Sequence, residues 1–66
     1  MVKIAGQVVR RIGTTWGIVW GKGFFATVYK WDPRARALRF TTAELSELGG
    51  TFTPTDAEFK AASAGF

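Results

Sequence analysis

Sixty-six residues with no Cys and no His exclude disulfides and zinc fingers as staples, so one small domain must fold by apolar packing, burying only about 60% of its unfolded surface. The net charge of +4 is unevenly divided: residues 1–40 carry eight Lys/Arg against Asp32 alone, whereas Lys60 faces Glu44, Glu47, Asp56 and Glu58 in residues 41–66. No apolar run approaches the ~20 residues that cross a bilayer and no leader peptide is visible, so no membrane role and an intracellular setting, cytoplasmic or nucleoid-associated, are expected.

Val2–Ile12 alternates as a half-buried strand, with Val2, Ile4, Val8 and Ile12 on one phase and Lys3, Gln7 and Arg11 on the other. Gly13-Thr14 is a turn, Trp16–Trp20 a second strand, Gly21-Lys22-Gly23 another turn, and Phe24–Trp31 a third strand. Asp32-Pro33-Arg34-Ala35 suits a type I turn, which leads into a fourth strand at Arg36–Thr41. Strands joined by such short loops predict an antiparallel meander.

The pattern then changes. Thr41 and Glu44 have capping-box spacing before Leu45 and Leu48, which predicts a helix of two turns at most, stopped by Gly49-Gly50. Thr51-Phe52-Thr53 suits a fifth short strand. Thr55 and Glu58 form a second capping box, or Thr53 caps with Pro54 at the first helical position. Phe59, Ala62 and Phe66 then share a helical stripe up to Gly65. The fold class is mainly β with α: a four- to five-stranded meander or SH3-like barrel with one short helix and a C-terminal helix. It is a single domain over 1–66, with a basic β-meander at 1–41 and an acidic helical segment at 42–66.

Turn register assigns side chains to faces, because a slip of one residue inverts them. A two-residue turn at Gly13-Thr14 pairs Trp16 with Arg11, Ile18 with Val9 and Trp20 with Gln7. A turn centred on Pro33-Arg34 pairs Trp31 with Arg36, Tyr29 with Leu38 and Thr27 with Phe40, and Leu38 and Phe40 mark that phase as core. A three-residue middle loop, Gly21–Gly23, reconciles both hairpins: Trp20 then lies opposite Phe24, and Gly23 takes the left-handed conformation. Trp16, Trp20 and Phe24 would then stand on the outer face with Arg11, Lys30 and Arg39. With a two-residue loop at Gly21-Lys22, Trp16, Ile18 and Trp20 join Phe25 and Tyr29 instead, and all three Trp can be core.

Catalysis is not expected. Neither a Ser–His nor a Cys–His system can exist, no familiar transition-metal cluster is present, and Ser46 and Ser63 have no visible base. Gly21-Lys22-Gly23 lacks the spacing of a phosphate-binding Walker loop. No cofactor or metal is implied.

Lys22-Gly23-Phe24 in a Trp-containing meander resembles the start of the RNA-binding strand of cold-shock domains. Phe25 and Ala26 do not continue that family's Gly-Phe alternation, and its second aromatic motif is absent, so the resemblance covers under ten residues and implies no membership. In architecture alone the pattern is similar to small basic archaeal chromatin proteins.

The expected function is a small basic module binding DNA or RNA without sequence specificity. Trp16, Trp20 and Phe24 would stack on bases or wedge between them, while Arg11, Lys22, Lys30 and Arg39 contact phosphate and Arg34 and Arg36 reach from the hairpin tip. The alternative is a protein-interaction or self-assembly module, an inhibitor or adaptor or a homo-oligomer, because the same Trp/Arg surface has the composition of a binding hot spot.

Overall fold

The computed structural model describes residues 2–21 and 23–65. Six strands, β1 (Lys3–Ile4), β2 (Gln7–Ile12), β3 (Thr15–Gly21), β4 (Ala26–Asp32), β5 (Ala37–Ala43) and β6 (Leu48–Thr51), precede helix α1 (Asp56–Ala64), with a 3-10 turn at Leu45–Glu47 before β6. Strands β1 to β5 form an antiparallel meander in chain order, and β6 returns to pair with β2, closing the sheet towards a barrel. This is the small β-rich meander with a short helix and a C-terminal helix that the sequence predicts.

Turn chemistry explains most connections. Ile4 pairs with Gln7, leaving Ala5-Gly6 as a two-residue loop with φ of 52° and 82°, the two positive values that a type I′ hairpin needs. The strand expected over Val2–Ile12 is therefore two strands, and Val9 rather than Val8 enters the core. At Gly13-Thr14 the expected register holds, with Val9 opposite Ile18 and Arg11 opposite Trp16. After β4, the Asp32 carboxylate accepts from the backbone N–H groups of Arg34 (2.9 Å) and Ala35 (3.3 Å). These bonds shape a four-residue loop, Pro33–Arg36, which Arg36 ends at a φ of 52°. The longer loop places Trp31 opposite Leu38 and Tyr29 opposite Phe40, two residues from the predicted pairing, so each side chain keeps its expected face.

The β3–β4 connection inverts the face assignment. Gly17 pairs with Lys30, Ile18 with Tyr29 and Val19 with Val28, then Gly21 with Thr27, leaving Trp20 as the extra residue of a β-bulge. Neither predicted loop length forms: Gly23, Phe24 and Phe25 belong to the connection and β4 begins at Ala26. The offset from a Trp20–Phe24 pairing is odd, so β3 crosses over relative to β4. Trp16, Ile18 and Trp20 share a face with Tyr29 and Trp31, the parity of the two-residue alternative. The φ expected at Gly23 depends on Lys22, which lies outside the described residues.

Each face of this sheet carries an apolar cluster. On one, Val9, Trp16, Ile18 and Trp31 are buried with Ile4 and Ala62, and Tyr29, Leu38, Phe52 and Phe59 pack around them. On the other, Ile12, Ala26, Val28 and Ala43 are enclosed with Val19 and Leu48. Each fully buried Ile or Val contributes about 1.5–3 kcal/mol relative to exposure, the main resource of a chain without staples.

The C-terminal third corrects two helix-end readings. Thr41 is in β5 opposite Val28, and the short capping box belongs to Glu44 and Glu47, where the Glu44 N–H donates to Glu47 Oε2 at 2.9 Å. Gly49 and Gly50 stop no helix but lie in β6, and a Cβ at position 49 would be 3.1 Å from the Arg11 Cβ. The second box forms as predicted, with Thr55 Oγ1 accepting from the Glu58 N–H and Glu58 Oε1 accepting from the Thr55 N–H. Phe66, placed on the helical stripe, lies outside the described residues.

Candidate functional site

Three rings run in file across three neighbouring strands. Trp20 on β3 meets Tyr29 on β4 edge to face (centroids 5.4 Å apart, 79°), and Tyr29 meets Phe40 on β5 in the same way (5.6 Å, 74°). Trp20 is 51% and Phe40 66% exposed. The edge-to-face contacts hold the rings in defined orientations while leaving aromatic surface open to solvent. Helix α1, nine residues or about 13 Å long, leaves Trp20 and Phe40 exposed. Its Phe59, Ala61 and Ala62 join the cluster around Trp16 and Trp31, leaving Trp20 and Phe40 outside it.

Tyr29 is half-buried against the core cluster, as the sequence reading expects, whereas Phe40, expected in the same core phase, is exposed.

Trp16 moves the other way. It is 3% exposed and lies inside a continuous stack: Trp31 on one side (5.1 Å, 13°), Phe52 on the other (6.3 Å, 22°), and the Arg11 guanidinium over the far ring, 5.1 Å from the Phe52 centroid. Its indole N–H points at Glu58 Oε2, 3.5 Å away. The outer-face position expected for Trp16 is therefore corrected, because the odd β3–β4 offset sets it beside Trp31. Arg11 is exposed but laid on Phe52.

Lys30 and Arg39 face each other across β4 and β5, on the side of the sheet opposite Trp20 and not, as expected, beside it. With Asp32, Pro33, Phe40 and Thr41 they border an open cleft of about 380 Å³. Arg34 and Arg36 are exposed in the adjoining loop. Phe24 is not opposite Trp20 but in the β3–β4 connection, 90% exposed and edge to face with Phe25 at 5.2 Å. Lys22 lies outside the described residues.

The acidic side chains are largely occupied locally. Asp32 holds its turn, Glu47 its 3-10 turn and Glu58 the start of α1. The backbone N–H and then the hydroxyl of Thr55 favour the ionised form of Glu58, with a smaller share from the Trp16 indole, and lower its pKa. Among the described residues, no group of three or more acidic, His or Cys side chains could hold a metal ion, and no helix is long and apolar enough to cross a membrane.

Compared with known proteins, the chain matches no family model, and no curated protein or solved structure is significantly similar to it.

Proposed function

We propose that this domain is a non-sequence-specific nucleic-acid-binding module. The observation that carries the reading is the solvent-open aromatic file Trp20–Tyr29–Phe40, set on a sheet whose remaining exposed charge is cationic. Each base has a π-face, so aromatic side chains bind bases with little regard to sequence. In this reading Trp20 and Phe40 take bases and Tyr29 braces both rings. Phe24 supplies a further stacking or wedging ring at the loop tip. Lys30, Arg34, Arg36 and Arg39 neutralise phosphates at the β4–β5 end, and Arg11 and Lys22 add general positive potential.

Titration of Trp fluorescence with oligonucleotides tests this. Binding is expected at 50 mM salt, and Trp20→Ala is expected to weaken it by about 1–3 kcal/mol, the range for one lost base stack. Absence of binding to any nucleic acid at that salt rules the reading out.

One feature favours a second reading. Phe24 and Phe25 form an apolar tip, and paired exposed rings of this kind are also the anchors of protein interfaces. A protein partner or self-association would engage that tip and show little salt dependence.

A further inference from the structure

We infer that the nucleic acid accepted here is single-stranded and straddles the β5 edge, with bases on the Phe40 side of the sheet and phosphates at the Lys30–Arg39 pair on the other. This deepens the nucleic-acid reading and rests on it. Among the described residues β5 is bonded to β4 alone, so its outer edge carries no further strand. Arg39 and Phe40 are consecutive on that strand and both exposed, and successive strand side chains point to opposite faces. Phe40 thus ends the aromatic file while Arg39 stands on the reverse side, opposite Lys30. Phe40 also borders the cleft that Lys30 and Arg39 line, so ring and cations meet around one edge.

The charge arrangement identifies what belongs in the cleft. Two like charges directly across a strand pair are unfavourable. Asp32 shares the cleft and, with its Oδ1 held by the backbone N–H groups of Arg34 and Ala35, offsets one of the two positive charges and leaves the cleft a net cation. A phosphate bridging Lys30 and Arg39 relieves the repulsion that the free protein bears. A duplex cannot supply that phosphate and a base for Phe40 together. Its bases are stacked inside, its phosphates lie outside, and it stays stiff over about 150 base pairs. A single strand can splay its bases onto one face while its backbone crosses the edge.

The test uses the full chain and labelled DNA of about 12 nucleotides, within the ~4–16 nucleotide footprint of sheet-type single-strand binders. Three forms are compared by fluorescence anisotropy: the single strand, its duplex, and an abasic strand of equal length. The single strand is expected to bind at least about tenfold more tightly than either of the others, the effect of about one base stack. Phe40→Ala should weaken single-strand binding at least about fivefold and leave abasic binding unchanged, whereas Arg39→Ala should weaken both. The urea midpoint of Arg39→Ala should match the parent because that side chain is exposed, and Phe40→Ala, which loses its edge-to-face contact with Tyr29, should lower it only slightly and remain folded. Duplex binding as tight as single-strand binding, or indifference to Phe40→Ala, overturns the straddling arrangement while nucleic-acid binding itself stands. No binding to any of the three forms overturns both.

Discussion

At Gly17 a Cβ would overlap the carbonyl oxygen of Tyr29 and lie 3.0 Å from the Lys30 Cα. Both are backbone atoms of the paired strand, so no rotamer change makes room. Gly17→Ala should therefore cost roughly 2–4 kcal/mol, the range of overpacking with backbone displacement, seen as a large drop in urea midpoint. Gly50→Ala meets nothing within 4 Å and should stay within about 0.5 kcal/mol of the parent. Close approach of this kind leaves no trace in the sequence, where Gly17 reads only as a weak point in a strand. The burial of Trp16 follows from only one of the two parities that the sequence allows, and its indole partner Glu58, 42 residues away, gives no local signal to choose between them. Among the described Trp side chains only Trp20 is substantially exposed, so acrylamide quenching should fall sharply in Trp20→Phe and little in Trp31→Phe.

Elements whose ends are fixed by neighbouring residues are readable from sequence. The Gly13-Thr14 hairpin and the Thr55–Glu58 box rest on contacts no more than three residues apart. Elements fixed by distant pairing are not: Gly49 and Gly50 resemble a helix stop and become strand only because β2 is there to pair with β6. The capping box carries a pH prediction. The folded-state pKa of Glu58 is lowered, chiefly by the Thr55 N–H and hydroxyl. Its stabilisation is therefore complete above the unfolded carboxylate value and is lost as pH falls through the depressed folded one. The urea midpoint should decline as the pH drops below about 4, and Glu58→Gln should be less stable at neutral pH with a shallower acid limb. Thr55→Ala should cost about 1 kcal/mol, as N-cap removals do. An acid limb unchanged in Glu58→Gln would show that another carboxylate governs acid unfolding.

For the whole molecule, one connection decides which side chains meet. The hairpins on either side can be read with the correct face, β2–β3 in register and β4–β5 two residues out, yet the odd offset between β3 and β4 sets Trp16 beside Trp31 in the core and Trp20 against Tyr29. Gly21, Gly23, Phe24 and Phe25 give no signal for it, since two exposed Phe read as strand. The charge division between the two parts of the chain survives this change, because strand parity moves cations between faces without moving them off the sheet. Salt dependence is therefore the measurement that belongs to the molecule as a whole. If Lys30, Arg34, Arg36 and Arg39 each engage one phosphate of a single strand, log K should fall against log salt with a slope of about −3, at roughly 0.7 per contact. Lys30→Ala and Arg39→Ala should each flatten that slope by about 0.7. Trp20→Ala should weaken binding with little change in slope, because stacking releases no counterions. A slope indifferent to both Lys30 and Arg39 would move the phosphate track away from the β4–β5 cleft.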